Sequence, residues 1–341
     1  MISHPLVSIV VPVYNAQELC RNCFDSLVAI NYPNKEIILV DDHSIDCSGV
    51  ICDEYAEQYS IIKVIHQPDN LGVTQARITG VKHTQGEYVM FVDSDDYVHT
   101  NILSIMLETM LVDKADLVCC QANNVHGQSI KIEKRSIFGI FDHNDINTLL
   151  STNLLYDDTL QKSGMPLYLW GKLYKKDYLI ESLRIGLGIS FEEDLVSVIY
   201  MLTNKVNKLV ILDIPLYYYV HHTSQITSCK LWRLWPSYIK VWENIDKMGS
   251  IGWEEQLSKR IWMTLKPSIY NKFSDWGKIF IGNKFIKTFR TLRNSDIVKK
   301  YVWNNHYLPN NIRRHPHFIL LKYRLYWLDY WLYSLIWLTK R

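Results

Sequence analysis

The chain opens on a short β-branched run, VSIVVPV at residues 7–13, closed by Tyr14-Asn15, the pattern of a buried strand running into a loop. A helical pattern fits 16–30. A second apolar run, 36–40, stops at Asp41-Asp42, a helix fits 48–60 and a strand fits 62–65. A helix over 74–84 then leads into a strand at 88–92 that stops at Asp93-Ser94-Asp95-Asp96. Strands alternating with helices predict right-handed βαβ units and a mostly parallel sheet.

The three polar breaks, at Tyr14-Asn15, Asp41-Asp42 and Asp93 to Asp96, each follow the C-terminal end of a predicted strand. Open α/β sheets hold their ligands at that edge, so the three clusters predict one site. No GxGxxG follows the first strand and no GxxxxGK[ST] occurs anywhere. A dinucleotide-dependent dehydrogenase or a P-loop NTPase therefore has little support. Asp93 and Asp95 stand at i and i+2, which in extended geometry point the same way. Such a pair repels itself unless a cation joins it, and hard oxygen ligands suit Mg²⁺ or Mn²⁺, whose other ligands come from water and substrate phosphates. A merely solvated acidic loop is the alternative; Asp42 on the same edge favours the metal–diphosphate reading.

Four ordered stretches, VSIVVPVYNA, EIILVDDHSIDCS, VIHQPDNLGVTQARITG and GEYVMFVDSDDYV, resemble the family 2 glycosyltransferases of GT-A fold, the type that builds bacterial capsular and exopolysaccharides. The resemblance is dense over 6–100, and LWGKLYKKDYLIESLRI followed by FEEDLVSVIYML resembles the acceptor half of the same domain. It implies an α/β, Rossmann-like GT-A catalytic domain at 1–230, with a nucleotide-sugar-binding half at 1–100 and an acceptor half at 101–230. It implies that Pro12, Val13, Tyr14 and Asp42 hold the nucleotide, and that Asn70 and Gly72 shape the loop before Arg77, itself near the nucleotide. Asp93 and Ser94 would meet the donor, Asp93 also the metal, and Asp95 would be the principal ligand of Mn²⁺ or Mg²⁺. His43 and Ile78 stand where the family commonly has Gly and Asn; neither change removes a charged group.

Displacing a nucleoside diphosphate from an anomeric carbon with inversion requires the acceptor hydroxyl to lose a proton, and a carboxylate beside the sugar can take it. Glu192, Glu193 and Asp194 offer three. From the residues alone this acidic run reads better as a helix N-terminus favoured by the dipole. The resemblance matches Glu193-Asp194 to the family's ED motif, implying Asp194 as base and Glu193 as its alternate. It sets Trp170 near the acceptor sugar, with a core aromatic as the equal alternative, and Lys172 at a phosphate or at the surface. YYYVHHTSQITS resembles the stretch that closes over the diphosphate, with Val220 where an Arg is common. His221 and His222 would face opposite ways on a strand, so at most one reaches the metal or the diphosphate.

Net charge changes the picture of the remainder. Overall it is +2, but residues 1–230 hold 17 Lys+Arg against 28 Asp+Glu, and residues 231–341 hold 20 against 7. Trp170 is the only tryptophan before residue 231, and ten follow it. A basic, Trp-rich C-terminal extension predicts an anionic surface as partner, and without zinc-finger or RNP-type motifs nucleic acid fits poorly. Helical patterns at 253–265, 283–293 and 318–338 mix aromatic and basic residues. Asp329 in the last would cost about 2.5–3.5 kcal/mol at a bilayer centre, so that helix is expected to lie on the membrane, with Trp327, Trp331 and Trp337 at headgroup depth. Packing on protein is the alternative. The seven cysteines, an odd number, include Cys20 and Cys23 as a CxxC inside a predicted helix and read as cytosolic thiols. The run 7–13 has no basic region before it, so no export signal is expected. The expectation is a metal-dependent inverting glycosyltransferase, peripheral at the inner face of the cytoplasmic membrane. Its donor would be a UDP-linked sugar and its acceptor a glycan or lipid-linked saccharide. A GT-A-like glycan-binding scaffold and a nucleotidyltransferase remain the alternatives.

Overall fold

Every residue of the first strand, β1 (Val7–Val13), is buried, as an unbroken apolar run requires when a strand is covered on both faces. The computed structural model describes residues 4–160, 162–222, 234–249, 253–270, 291, 293–303 and 308. Beside β1 lie β2 (Lys35–Asp41) and β4 (Tyr88–Phe91), with β3 (Ile62–His66) beyond β2, all parallel. Val7, Ile9, Val11 and Val13 share a core with Cys20, Cys23, Phe24 and Leu27 of α1 (Cys20–Val28) and with Ile102 and Met106 of α4 (Ile102–Val112). The opposite face takes α3 (Val73–His83), and α2 (Ser48–Gln58) links β2 to β3. Gly80 lets α3 approach closely, because a Cβ there would lie 2.3 Å from Val10 Cγ1. Helix α1 starts later than its periodicity predicts: the amides of Ala16 and Gln17 bond Ser48 Oγ and the Asp46 carboxylate, which holds 16–19 as loop.

The second half of the sheet is built from β6 (Leu117–His126), β9 (Lys172–Lys175) and β10 (Lys208–Val220). Strand order is β3-β2-β1-β4-β9-β6-β10-β5, where β5 is Tyr97–Val98. Two short strands, β7 (Ser129–Ile132) and β8 (Gly139–Asp142), pair with β6 and β10. The long strands β1, β2, β3, β4, β6 and β10 run one way, and β5, β7, β8 and β9 run against them. Helices α5 (His143–Thr152), α6 (Leu179–Ile185) and α7 (Glu193–Asn204) complete this half.

Two compact units emerge, Met1–Leu149 with Ser163–Gln225, and Leu150–Lys162 with Ile226–Arg341. In the second, α8 (Trp235–Met248) and α9 (Glu254–Tyr270) are the long described helices, with a short helical stretch at Asp296–Val298 and Lys299–Trp303. Residues 150–162 group with it because Tyr156 N–H donates to Gln256 Oε1 and Lys259 pairs with Asp158. The aromatic face of the helix expected at 253–265 is buried: Trp253, Leu257, Ile261 and Trp262 are all covered, as are Trp235 and Trp242 of α8. Among the described residues no helix is long and apolar enough to cross a membrane. The patterns at 283–293, in the main, and at 318–338 with Trp327, Trp331 and Trp337 lie outside the described residues.

Candidate active site

The parallel run of β3, β2, β1 and β4 brings four strand ends to one edge, and the loops there are laced together. Asn15, in the left-handed region (φ 49°), accepts from Ile45 N–H and donates its own N–H to Ser44 Oγ. Tyr14 stands 46% exposed beside it, whereas Pro12 and Val13 are buried at the end of β1. Asp42 is buried, and its carboxylate accepts from Gln67 Nε2, from Leu71 N–H at 2.8 Å and from Gly72 N–H at 2.8 Å. Gly72 permits that turn with φ at +88°, and Asn70 is exposed on the same loop. Asp42 thus holds the loop before α3 in shape, a role the sequence reading did not assign it.

Arg77, one turn into α3, is the cation of the second cluster. Its Nη2 lies 2.9 Å from Asp93 Oδ1, and its Nη1 lies 2.6 Å from Asp194 Oδ1 and 3.3 Å from Glu193 Oε1. Burial opposes its charge, but Asp194, Asp93 and Glu193 outweigh burial and keep it firmly protonated. Burial, reinforced by Asp95 and Asp194, pushes the Asp93 carboxyl up to about 6 in spite of Arg77. Burial and the neighbouring Asp194 also raise Glu193, so the last proton of this cluster is held more tightly than on a free carboxylate. Asp194 Oδ2 accepts Leu169 N–H at 3.1 Å, which fixes the carboxylate from a second side.

The loop after β4 is anchored from β10. Tyr217 hydroxyl donates to Asp96 Oδ2 at 2.7 Å and accepts Asp93 N–H at 3.1 Å, while Val220 N–H donates to Asp96 Oδ1. Burial, reinforced by Asp95 and Asp93, raises the Asp96 carboxyl well above its ordinary value. Asp96 and Tyr217 were missed from sequence; the run DSDD showed the acid, but only the β10 pairing shows what it holds. Ser94 is buried between the acids. Asp95 points toward His222, with 2.8 Å between Oδ2 and Nε2.

Trp170 takes the core alternative, Lys172 departs from both of its expected places, and the two histidines separate. Trp170 is 4% exposed, its ring stacked against Tyr168, Tyr217 and Tyr219, so it is a core aromatic with no face open to a sugar. Lys172 is 0% exposed and donates to Tyr168 O at 2.6 Å, so it meets neither phosphate nor surface; it braces the turn whose next amide, Leu169 N–H, holds Asp194. His221 binds Asn124 at 2.8 Å and stacks on His126, apart from the acids, whereas His222 joins them.

Among the described residues no three His, Cys, Asp or Glu form a metal cage. Asp93 and Asp95 are donors of the type Mg²⁺ takes, one or two carboxylates with phosphates and water as the other ligands, and each has one oxygen engaged, Asp93 by Arg77 and Asp95 by His222.

Residues 8–180 match the family model Glycosyl transferase family 2. Glycosyltransferase GlyA of Streptococcus pneumoniae serotype 4 is 33% identical over 232 residues, 67% of this chain and 32% of that protein. The chain spans about a third of the length of the curated relatives it matches first. Residues 1–349 of TarS from S. aureus, solved with UDP-GlcNAc, superpose with a TM-score of 0.67 at 19% identity, over 95% of this chain and 88% of that one. The mannosyltransferase PcManGT from Pyrobaculum calidifontis, solved with GDP-Man and Mn²⁺, gives 0.53 at 13% identity, over 86% and 82%. These likenesses give the fold, an α/β GT-A architecture, and the match over half of its length makes this chain a member of glycosyl transferase family 2.

Proposed function

We propose that the chain is a glycosyltransferase that moves a sugar from a UDP-linked donor, with inversion, onto a saccharide or lipid-linked saccharide in cell-surface polysaccharide synthesis. The observation that carries this reading is the meeting, on one guanidinium, of the acid loop after β4 and the acid pair that opens α7. One set of residues then serves donor and acceptor together. The TarS complex with UDP-GlcNAc and the PcManGT complex with Mn²⁺ support the donor and cation classes.

In this reading Tyr14 and the loop held by Asp42 receive the base, and Asp93, Ser94 and Asp95 face the diphosphate. Asp95 and Asp93 would hold a divalent cation, which would supply positive charge to the departing diphosphate. Asp194, aimed by Leu169 N–H and Arg77, takes the proton of the acceptor hydroxyl as its oxygen bonds the anomeric carbon and the bond to the diphosphate oxygen breaks. Glu193 is the alternate base. The basic, Trp-rich remainder of the chain serves to bring the site to an anionic membrane surface at the cytoplasmic face.

Calorimetric titration of the full chain with UDP, GDP and CDP, first with Mn²⁺ and then with EDTA, tests the donor site. Mn²⁺-dependent binding of UDP is expected, and binding of none of the three overturns the reading. Asp194→Asn should then keep UDP affinity while turnover falls about 10²-fold or more; unchanged turnover moves the base to Glu193.

A further inference from the structure

Arg77 is where the two halves of the acidic edge meet. Its side chain is 3% exposed, and its two terminal nitrogens are occupied by three carboxylates, one 16 residues further along the chain and two others 116 and 117 residues away. These contacts use three of its five N–H groups, and of the other two the one on Nε is buried without a partner. A contact with a nucleotide needs a donor that can reach it, and a side chain 3% exposed with both terminal nitrogens already on carboxylates offers little surface for one. What it does present is a rigid planar fork, suited to holding carboxylates that arrive from different directions.

We propose that Arg77 is a positioning residue that locks the Asp93 loop to the first turn of α7 and thereby aims Asp194, without touching the nucleotide. The proposal rests on the reading of Asp194 as base. Two fixed donors on different oxygens, Arg77 on Oδ1 and Leu169 N–H on Oδ2, set the plane of the Asp194 carboxylate. Each oxygen keeps a second lone pair, so an acceptor hydroxyl still finds a site. Without Arg77 the three carboxylates have no shared cation and repel one another, and Asp194 swings off Leu169. The Asp42 site, held by Gln67, Leu71 and Gly72, has its own donors and stays in place.

The test compares the full chain with Arg77→Lys and Arg77→Met. Amide hydrogen exchange at Leu169 should quicken by about tenfold or more in both variants, while Leu71 and Gly72 stay within about threefold of the wild type. Turnover should fall about 10²-fold in Arg77→Met, less in Arg77→Lys, with the affinity for UDP in Mn²⁺ held within about threefold, and added guanidinium ion should restore part of the rate. Unchanged exchange at Leu169 overturns the proposal. So does a loss of UDP affinity with turnover kept, which would put Arg77 on the nucleotide, and so does equal quickening at all three amides in Arg77→Lys, which would make it a general fold residue. If the wild type itself binds no nucleotide, the glycosyl-transfer reading fails by itself, since the exchange comparison needs no substrate.

Discussion

Asp42 and Asp194 stand on the same sheet edge, both largely buried, yet their surroundings differ in kind. Asp42 accepts from one side-chain amide and two main-chain N–H groups, all within 30 residues of it in the chain. Asp194 shares one guanidinium with Glu193 and Asp93, across more than a hundred residues. Neutral main-chain donors satisfy a carboxylate and fix the shape of a loop without adding charge. A single cation among three acids leaves the cluster short of positive charge, and the raised carboxyls of Glu193 and Asp93 make up part of the deficit by holding a proton. The nucleotide end of the edge is therefore organised by shape and the reacting end by charge, and the two ends should respond differently to mutation.

The largest effect is expected where charge is concentrated. Removing one partner of a buried ion cluster leaves uncompensated charge, so Arg77→Met should lower stability by about 3–5 kcal/mol in urea unfolding. Adding Asp194→Asn to it should recover part of that loss, since the second change removes one of the stranded charges; the coupling expected is about 0.5–3 kcal/mol. Strict additivity of the two changes would show that the cluster does not act as one unit.

A smaller effect is expected at the shape-organised end. Asp42→Asn keeps one acceptor oxygen and turns its NH2 either toward Gly72 N–H or toward Gln67 Nε2 and Leu71 N–H, at a cost of about 1–3 kcal/mol. The lower part of that range is expected, because Leu71 is exposed and its amide can find water. UDP affinity should weaken while turnover at saturating donor is kept. Turnover that fell at unchanged affinity would move Asp42 into the reacting centre and erase the distinction drawn above.

The same contrast explains what could be read from the sequence. Runs such as VSIVVPV and EIILVDD carry their strand, their burial and their terminal acids in consecutive residues, so β1, β2 and β4 and the edge they share were legible. The partners of Arg77 were not, because nothing local to VTQARITG says which distant acids close on it. Trp170 was ambiguous for the same reason: two of the three tyrosines stacked on it come from β10, far along the chain. Lys172 looked like a surface cation because lysines usually are, and only the turn at Tyr168 gives its ammonium an acceptor. Short-range pattern finds the scaffold; the charge cluster depends on long-range pairing.

A third carboxylate sharpens the comparison with the smallest effect. Glu36, in the second position of β2, is buried and accepts from Ser8 Oγ at 2.7 Å, Gln85 N–H at 2.5 Å, Gly86 N–H at 3.2 Å and the half-exposed Lys63 at 3.1 Å. Burial alone would raise its pKa, but the Gln85 amide, the Ser8 hydroxyl and Lys63 together outweigh burial and leave it below the usual value. A folded pKa below the unfolded one, near 4.3, stabilises the fold above that pH, and the gain is lost as pH falls through the folded value. Glu36→Gln should therefore be less stable than the wild type by about 1 kcal/mol at pH 7, with the gap closing below about pH 4. Lys63→Met should change stability by less than about 0.5 kcal/mol, because its exposed ammonium is screened. Thermal unfolding of the three proteins between pH 3 and pH 7 decides the matter. If Lys63→Met matched Glu36→Gln, the ammonium rather than the amide and hydroxyl donors would hold Glu36, and Glu36 would no longer stand with Asp42 as a carboxylate held by neutral donors.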